Sequence, residues 1–110
     1  MTEILASSSI VIDRPKGTRH PKIDREVLYP LDYGYLSDTT SPDGDGIDVF
    51  VGSAAGAGIV AVVVTADPVK RDVEIKLLVD CSAEEVETAR TFLTETLGIG
   101  GAVLPLDRPG

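Results

Sequence analysis

The sequence predicts a mainly β fold, a small barrel or sandwich of five or six short strands with one helix in its C-terminal half. Short β-branched runs bounded by Gly, Pro and Asp recur as far as Val79. A single late segment carries helical periodicity, and helices do not alternate with the strands as a βαβ sheet requires.

Ser7 to Asp13 reads as a strand because Ile10-Val11-Ile12 is β-branched and stops at Pro15 and Gly17. Arg14 to Glu26 has prolines, a glycine and no periodicity, so it reads as a loop. Tyr33 to Leu36 is a short strand. Ser41-Pro-Asp-Gly-Asp-Gly46 is a tight turn, with two glycines able to take positive φ. Ile47 to Val51 is a strand, Gly58 to Ala66 a buried strand and, after the Asp67-Pro68 turn, Val73 to Val79 another. The helix is expected near Ser82 to Leu97. Ser82 and Glu85 form a capping box, Val86, Ala89, Phe92, Leu93 and Leu97 recur at helical spacing, and Gly98 supplies the stop. Ala102 to Leu106 is a final strand.

A length of 110 residues fits one domain, since folding units usually run to ~100–200 residues. The composition, 43% hydrophobic and 25% charged, is that of a globular chain. With no Trp and 5% aromatic residues, the core must be built from Val, Ile, Leu and Ala. So small a core leaves stability marginal, and a homo-oligomer is expected to supplement it. A net charge of -8 argues against a nucleic-acid partner. The longest apolar or glycine run, Ala54 to Val64, is eleven residues, against ~20 for a membrane span. Glu3 stands where a signal peptide would be positive, and Ile4-Leu5-Ala6 is too short for its apolar region. Cys81 alone makes no internal disulfide, has no paired His motif and reads as a small buried residue. A cytoplasmic protein is expected.

The charges are unevenly placed. Arg14, Lys16, Arg19, Lys22 and Arg25 are five of the ten basic residues, and no Lys or Arg then occurs before Lys70. Into that gap falls Asp43-Gly44-Asp45-Gly46-Ile47-Asp48, three carboxylates on one glycine-rich turn. Their mutual repulsion calls for a cation, and hard divalent ions take oxygen ligands. The plain alternative is a solvated acidic turn. A calcium-binding EF-hand loop is excluded, because Ile47, Asp48 and Ala54 stand where it needs an oxygen ligand, Gly and Glu. His20 has no second His to share a metal. Asp72, Glu74 and Lys76 share one face of a predicted strand, two carboxylates beside an ammonium.

With these residues in place the chain resembles the soluble inorganic pyrophosphatases of the barrel-fold type, in a short bacterial form. Their signature, Asp-Gly-Asp-Pro-apolar-Asp preceded by Tyr-Pro-x-x-Tyr-Gly-Tyr, is matched by Asp43 to Asp48 and by Tyr29 to Tyr35. Asp13-Arg-Pro-Lys-Gly-Thr18 is similar to the family's Glu-Ile-Pro-Lys-Gly-Ser strand exit, and Glu74-Ile-Lys76 to its Asp-x-Lys. The resemblance covers about residues 9 to 79. It implies a small closed, OB-like barrel in one domain and Mg²⁺-dependent hydrolysis of inorganic pyrophosphate, or a related phosphoanhydride, to orthophosphate. It also implies Mg²⁺ or Mn²⁺ as cofactor, Asp45 as catalytic general base, and Asp43, Asp48, Glu74 and Asp72 as metal ligands. Lys22, Lys76, Tyr33, Arg14 and Asp13 form the implied substrate-binding set. Asp67 and Asp72 compete for one metal position, and Asp72 is preferred as the nearer to Glu74. Tyr29 reads as structural.

The chain also departs from the family pattern. Gly46 replaces Pro, Glu74 replaces Asp, and the late Tyr-Lys pair has no match. The strand hairpin ahead of the tyrosine motif is missing or compressed, so Arg14 and Arg25 are both candidates for its phosphate-binding Arg. These departures sustain a second reading, a catalytically degenerate metal- or phosphate-binding module on the same fold.

Overall fold

A computed structural model of the protein describes residues 10–20, 27–37, 46–69, 71–99 and 101–106. The elements are β1 (Ile10–Arg14), β2 (Asp32–Leu36), β3 (Asp48–Val51), β4 (Ile59–Asp67), β5 (Asp72–Val79), α1 (Ala83–Thr91), a π-helical turn (Phe92–Thr96) and β6 (Ala102–Pro105). The expected strands and helix stand on these segments; Ser7 to Ser9 lie outside the described residues. The six strands form one sheet of order β1-β2-β3-β5-β4-β6, antiparallel throughout except for the parallel pair β3–β5. Among the described residues β1 and β6 are edges and no ladder joins them, so barrel closure is not seen there.

Side-chain alternation splits the core between the two faces of this sheet. Tyr33, Phe50, Val63 and Leu78 pack on one face with Ala89, Phe92 and Leu93 of the helical segment. Leu36, Val49, Val62, Leu77 and Val79, one residue out of phase, pack on the other. Aliphatic residues thus build most of the core, as the scarcity of aromatic residues requires. The rings that exist are concentrated: Tyr33 touches Tyr29 and Phe50, and Phe92 touches both of those.

The helix begins as its sequence dictates. Ser82 Oγ accepts from Glu85 N at 3.2 Å and Glu85 Oε1 accepts from Ser82 N at 2.9 Å, so two otherwise orphaned amides are satisfied. Glu85 also accepts from the Ser53 amide and hydroxyl, at 3.0 and 3.1 Å, and so ties the β3–β4 loop to the helix start. At the far end the Leu97 amide reaches the Phe92 carbonyl, an i+5 bond whose wider turn keeps both Phe92 and Leu93 buried. Beside the helix start, burial pushes the Cys81 thiol up to about 11, with Glu85 adding to the rise. It is a protonated packing residue at neutral pH. Among the described residues no helix is long and apolar enough to cross a membrane.

The segment expected to be a loop from Arg14 to Glu26 contains ordered pairing. Gly17 N donates to Tyr29 O, Tyr29 N to Thr18 O and His20 N to Val27 O, at 2.9, 2.9 and 2.7 Å, with a bridge between Arg19 and Leu28. This contracted hairpin is held by backbone bonds. It needs no apolar alternation, and Pro15, Gly17 and Pro21 conceal it in the sequence.

Strands β1 and β2 come together at Gly34, which faces Ile12. A Cβ on Gly34 would overlap the Val11 carbonyl, so the middle residue of Tyr-Gly-Tyr has to be glycine. Gly34→Ala is therefore expected to destabilise the fold by about 2 kcal/mol or more, read by urea denaturation. Unchanged stability would mean that β1 does not lie against β2 at this point.

Candidate active site

The parallel register of β3 and β5 sets Asp48 directly beside Lys76, and the antiparallel β2–β3 pair brings Tyr33 next to them. Lys76 is only 5% exposed. Its three ammonium hydrogens have three partners: Tyr33 OH at 2.9 Å, Asp48 Oδ2 at 3.0 Å and Glu74 Oε2 at 3.2 Å. The Tyr33 hydroxyl in turn donates a hydrogen bond to Asp48 Oδ2 at 2.6 Å. Glu74 reaches the same ammonium because it lies two residues before Lys76 on one strand, and hence on one face.

Burial alone would lower the Lys76 pKa, but Tyr33 and Asp48 outweigh it and the ammonium is held above its ordinary value. Burial, with Asp48 adding and Lys76 opposing, likewise pushes the Tyr33 hydroxyl up. Both groups therefore keep their protons at neutral pH. Lys76 is a fixed positive charge and Tyr33 a fixed neutral donor.

These residues line a cavity of about 600 Å³. Of the candidates from the sequence, Asp48, Asp72, Glu74, Lys76, Tyr33, Arg14 and Asp13 all border it. Asp43, Asp45, Lys22 and Arg25 lie outside the described residues. The cavity wall also holds Asp67, which the sequence reading weighed against Asp72, and His20 and Tyr29, which it did not put in the site. Asp67 and Asp72 face each other across the β4–β5 ladder, so they share the wall and need not compete for one place. The Asp67-Pro68 turn signal between two β-branched runs was the available sign of that pairing. Gly46, standing where the resemblance expects Pro, lies so close to β2 that a Cβ would overlap the Leu36 carbonyl. This backbone path has no room for proline.

The wall presents five carboxylates, from Asp13, Asp48, Asp67, Asp72 and Glu74, against the permanent cations Arg14 and Lys76. Among the described residues no three His, Cys, Asp or Glu side chains converge closely enough to hold a metal ion. The donor set nevertheless fits a hard divalent cation in kind, because the surplus charge is negative and these carboxylates offer hard oxygen.

Known proteins resemble the chain in sequence and in fold. Residues 1–70 match the family model for inorganic pyrophosphatase. No curated protein sequence matches significantly. Among solved structures, an inorganic pyrophosphatase from Helicobacter pylori is 20% identical, with a TM-score of 0.58 over 88% of this chain and 80% of its own. One from Coxiella burnetii is 15% identical, with a TM-score of 0.58 over 87% and 81%. The inorganic phosphatase of Anaplasma phagocytophilum is 19% identical, with a TM-score of 0.56 over 88% and 80%. At such identities these likenesses carry the fold, a mainly β, OB-like architecture with one helix. The family follows from the match over the first 70 residues, which contains both the tyrosine motif and the acidic turn: the chain belongs to the inorganic pyrophosphatase family and is an inorganic diphosphatase.

Proposed function

We propose that the protein hydrolyses inorganic pyrophosphate to two orthophosphates with Mg²⁺, or Mn²⁺ in its place, as cofactor. The observation that carries this reading is the Lys76 ammonium shared by Asp48, Glu74 and Tyr33 on the wall of an acidic cavity. Five carboxylates against two permanent cations would repel so anionic a substrate on its own. They suit one that arrives with divalent ions, which invert the local sign.

In this reading Asp43, Asp48, Glu74 and Asp72 hold the metal, with Asp67 beside them. A divalent ion bound there neutralises phosphate charge and lowers the pKa of a water from ~15.7 toward ~7. Asp45 takes the proton of the attacking water. Lys76, Lys22 and Arg14 neutralise the phosphates, Tyr33 borders them through its hydroxyl, and Asp13 borders the substrate. Fixed charges of this kind act most strongly where phosphate charge builds up in the transition state.

We place this activity in a single domain over residues 1–110, in the cytoplasm, in a homo-oligomer without nucleic-acid or membrane partners. Closure of the sheet into a barrel belongs to the same proposal. Support comes from the second apolar face, whose Leu36, Val49 and Leu77 are at most 2% exposed although the helical segment packs on the other face. Curling of the sheet on itself accounts for that burial.

Release of orthophosphate from pyrophosphate with Mg²⁺ tests the function. An inert chain that still binds metal and phosphate would instead be the degenerate binding module. Asp48→Ala is expected to weaken Mg²⁺ or Mn²⁺ binding by about tenfold or more, measured by isothermal titration below the variant's lowered melting temperature. Identical affinity would remove Asp48 from the ligand set. Asp45→Asn keeps the shape but loses the proton acceptor, so turnover should fall ~10²–10⁴-fold with KM little changed. Lys76→Met removes a phosphate cation and should raise KM, lowering turnover as well if the charge acts more strongly in the transition state. Steady-state phosphate release separates the two variants, and near wild-type turnover in Asp45→Asn would refute its role as base.

A further inference from the structure

We infer that Tyr29 is a positioning residue that aims Arg14 into the cavity, and that Arg14, delivered by a bulge in β1, is the arginine that grips a substrate phosphate. This rests on the phosphoanhydride reading of the site. The bulge decides which residue arrives. Ile12 faces Gly34, so a regular ladder would set Asp13 opposite Tyr33; the register shift sets Arg14 there instead. A single extra residue in an edge strand re-aims a side chain in this way. A carboxylate opposite Tyr33 is thereby exchanged for a guanidinium.

Arg14 then meets neutral groups. Its Nη1 donates to Tyr29 OH at 2.6 Å, and its guanidinium carbon lies 5.7 Å from the Tyr29 ring centroid and 5.9 Å from that of Tyr33. Among the described residues no carboxylate pairs with it. A guanidinium has five N–H donors in a planar fork that matches phosphate oxygens. Held by one hydroxyl and two aromatic faces, Arg14 keeps most of that fork available. Lys76 Nζ lies 5.4 Å from the same Tyr33 ring, so both cations of the wall flank one tyrosine.

Tyr29 is a firm support. It is 3% exposed, and its ring packs on His20, Tyr33 and Phe92 with centroids 5.6, 5.1 and 5.4 Å away. Its amide and carbonyl are fixed by Thr18 and Gly17. The contracted hairpin thus sets the backbone of Tyr29, and Tyr29 sets the guanidinium.

The test is isothermal titration of methylenediphosphonate, a non-hydrolysable pyrophosphate analogue, into the full chain with Mg²⁺. Circular dichroism melting checks that each variant folds. Arg14→Met should weaken binding about 10- to 100-fold, as loss of hydrogen bonds to a charged group predicts. Tyr29→Phe keeps the ring and should weaken it about threefold to tenfold, as loss of one hydrogen bond predicts. The decisive measurement is the double variant, which should bind as Arg14→Met does, because Tyr29 acts only through Arg14. Arg14→Lys, which keeps the charge without the fork, should fall between wild type and Arg14→Met and serves if the methionine variant does not fold. Additive effects of the two substitutions, an unchanged affinity in Arg14→Met, or no analogue binding by the wild type would each overturn the assignment. If the analogue binds with the expected coupling but pyrophosphate is not hydrolysed, the hydrolytic reading fails and this assignment stands.

Discussion

Lys76 holds the structure and the site together. A lysine 5% exposed in the middle of a sheet is tolerable only if its charge is paired and its hydrogens are taken, and Asp48, Glu74 and Tyr33 do both. Those partners come from β3, β5 and β2, so one ammonium fixes the relation of three strands. The parallel β3–β5 register that puts Asp48 beside Lys76 also lays Phe50 against Leu78 and Val51 against Val79. The polar end of the seam and its apolar end are therefore set by one alignment. A slip of one residue would turn Lys76 into the aliphatic face of Val49 and Leu77.

The surroundings of that seam have one sign. Asp67, Asp72 and Glu74 add carboxylates along the β4–β5 ladder, and on the described part of the wall Arg14 and Lys76 are the permanent positive charges. Aromatic packing separates this acidic wall from the aliphatic core: Tyr33 stands on Phe50 and Tyr29 on Phe92, each ring turning its hydroxyl toward the charges. The few rings of the chain are thus spent at the boundary between core and site. That charge distribution suits the proposed substrate, an anion that arrives together with divalent cations.

Much of this was legible in the sequence. Capping chemistry is local, so Ser82 and Glu85 announced the helix, and strand parity put Asp72, Glu74 and Lys76 on one face. Tyr33 and Asp48 belong to motifs whose spacing survives in this chain. What escaped was non-local. Nothing near Arg14 in sequence reveals that a bulge exchanges it with Asp13, because a bulge is defined by the partner strand. The pairing of residues 17–20 with 27–29 was legible only as a hairpin missing or compressed, for the same reason. Tyr29 reads as structural in the sequence because its hydroxyl is useful only where Arg14 lies against it. The acidic turn at Asp43 and Asp45 remains a matter of sequence resemblance, outside the described residues.

If the shared ammonium organises the molecule, Lys76 and Asp48 must be energetically coupled. A double-mutant cycle with Lys76→Met, Asp48→Asn and the combined variant, followed by urea denaturation, measures that coupling directly. The expected interaction exceeds about 1 kcal/mol, with the combined variant more stable than the two single losses predict, since each single change strands the other partner. Losses that add to within about 0.5 kcal/mol would contradict the account, for Lys76 would then be a bystander in the seam it is held to organise.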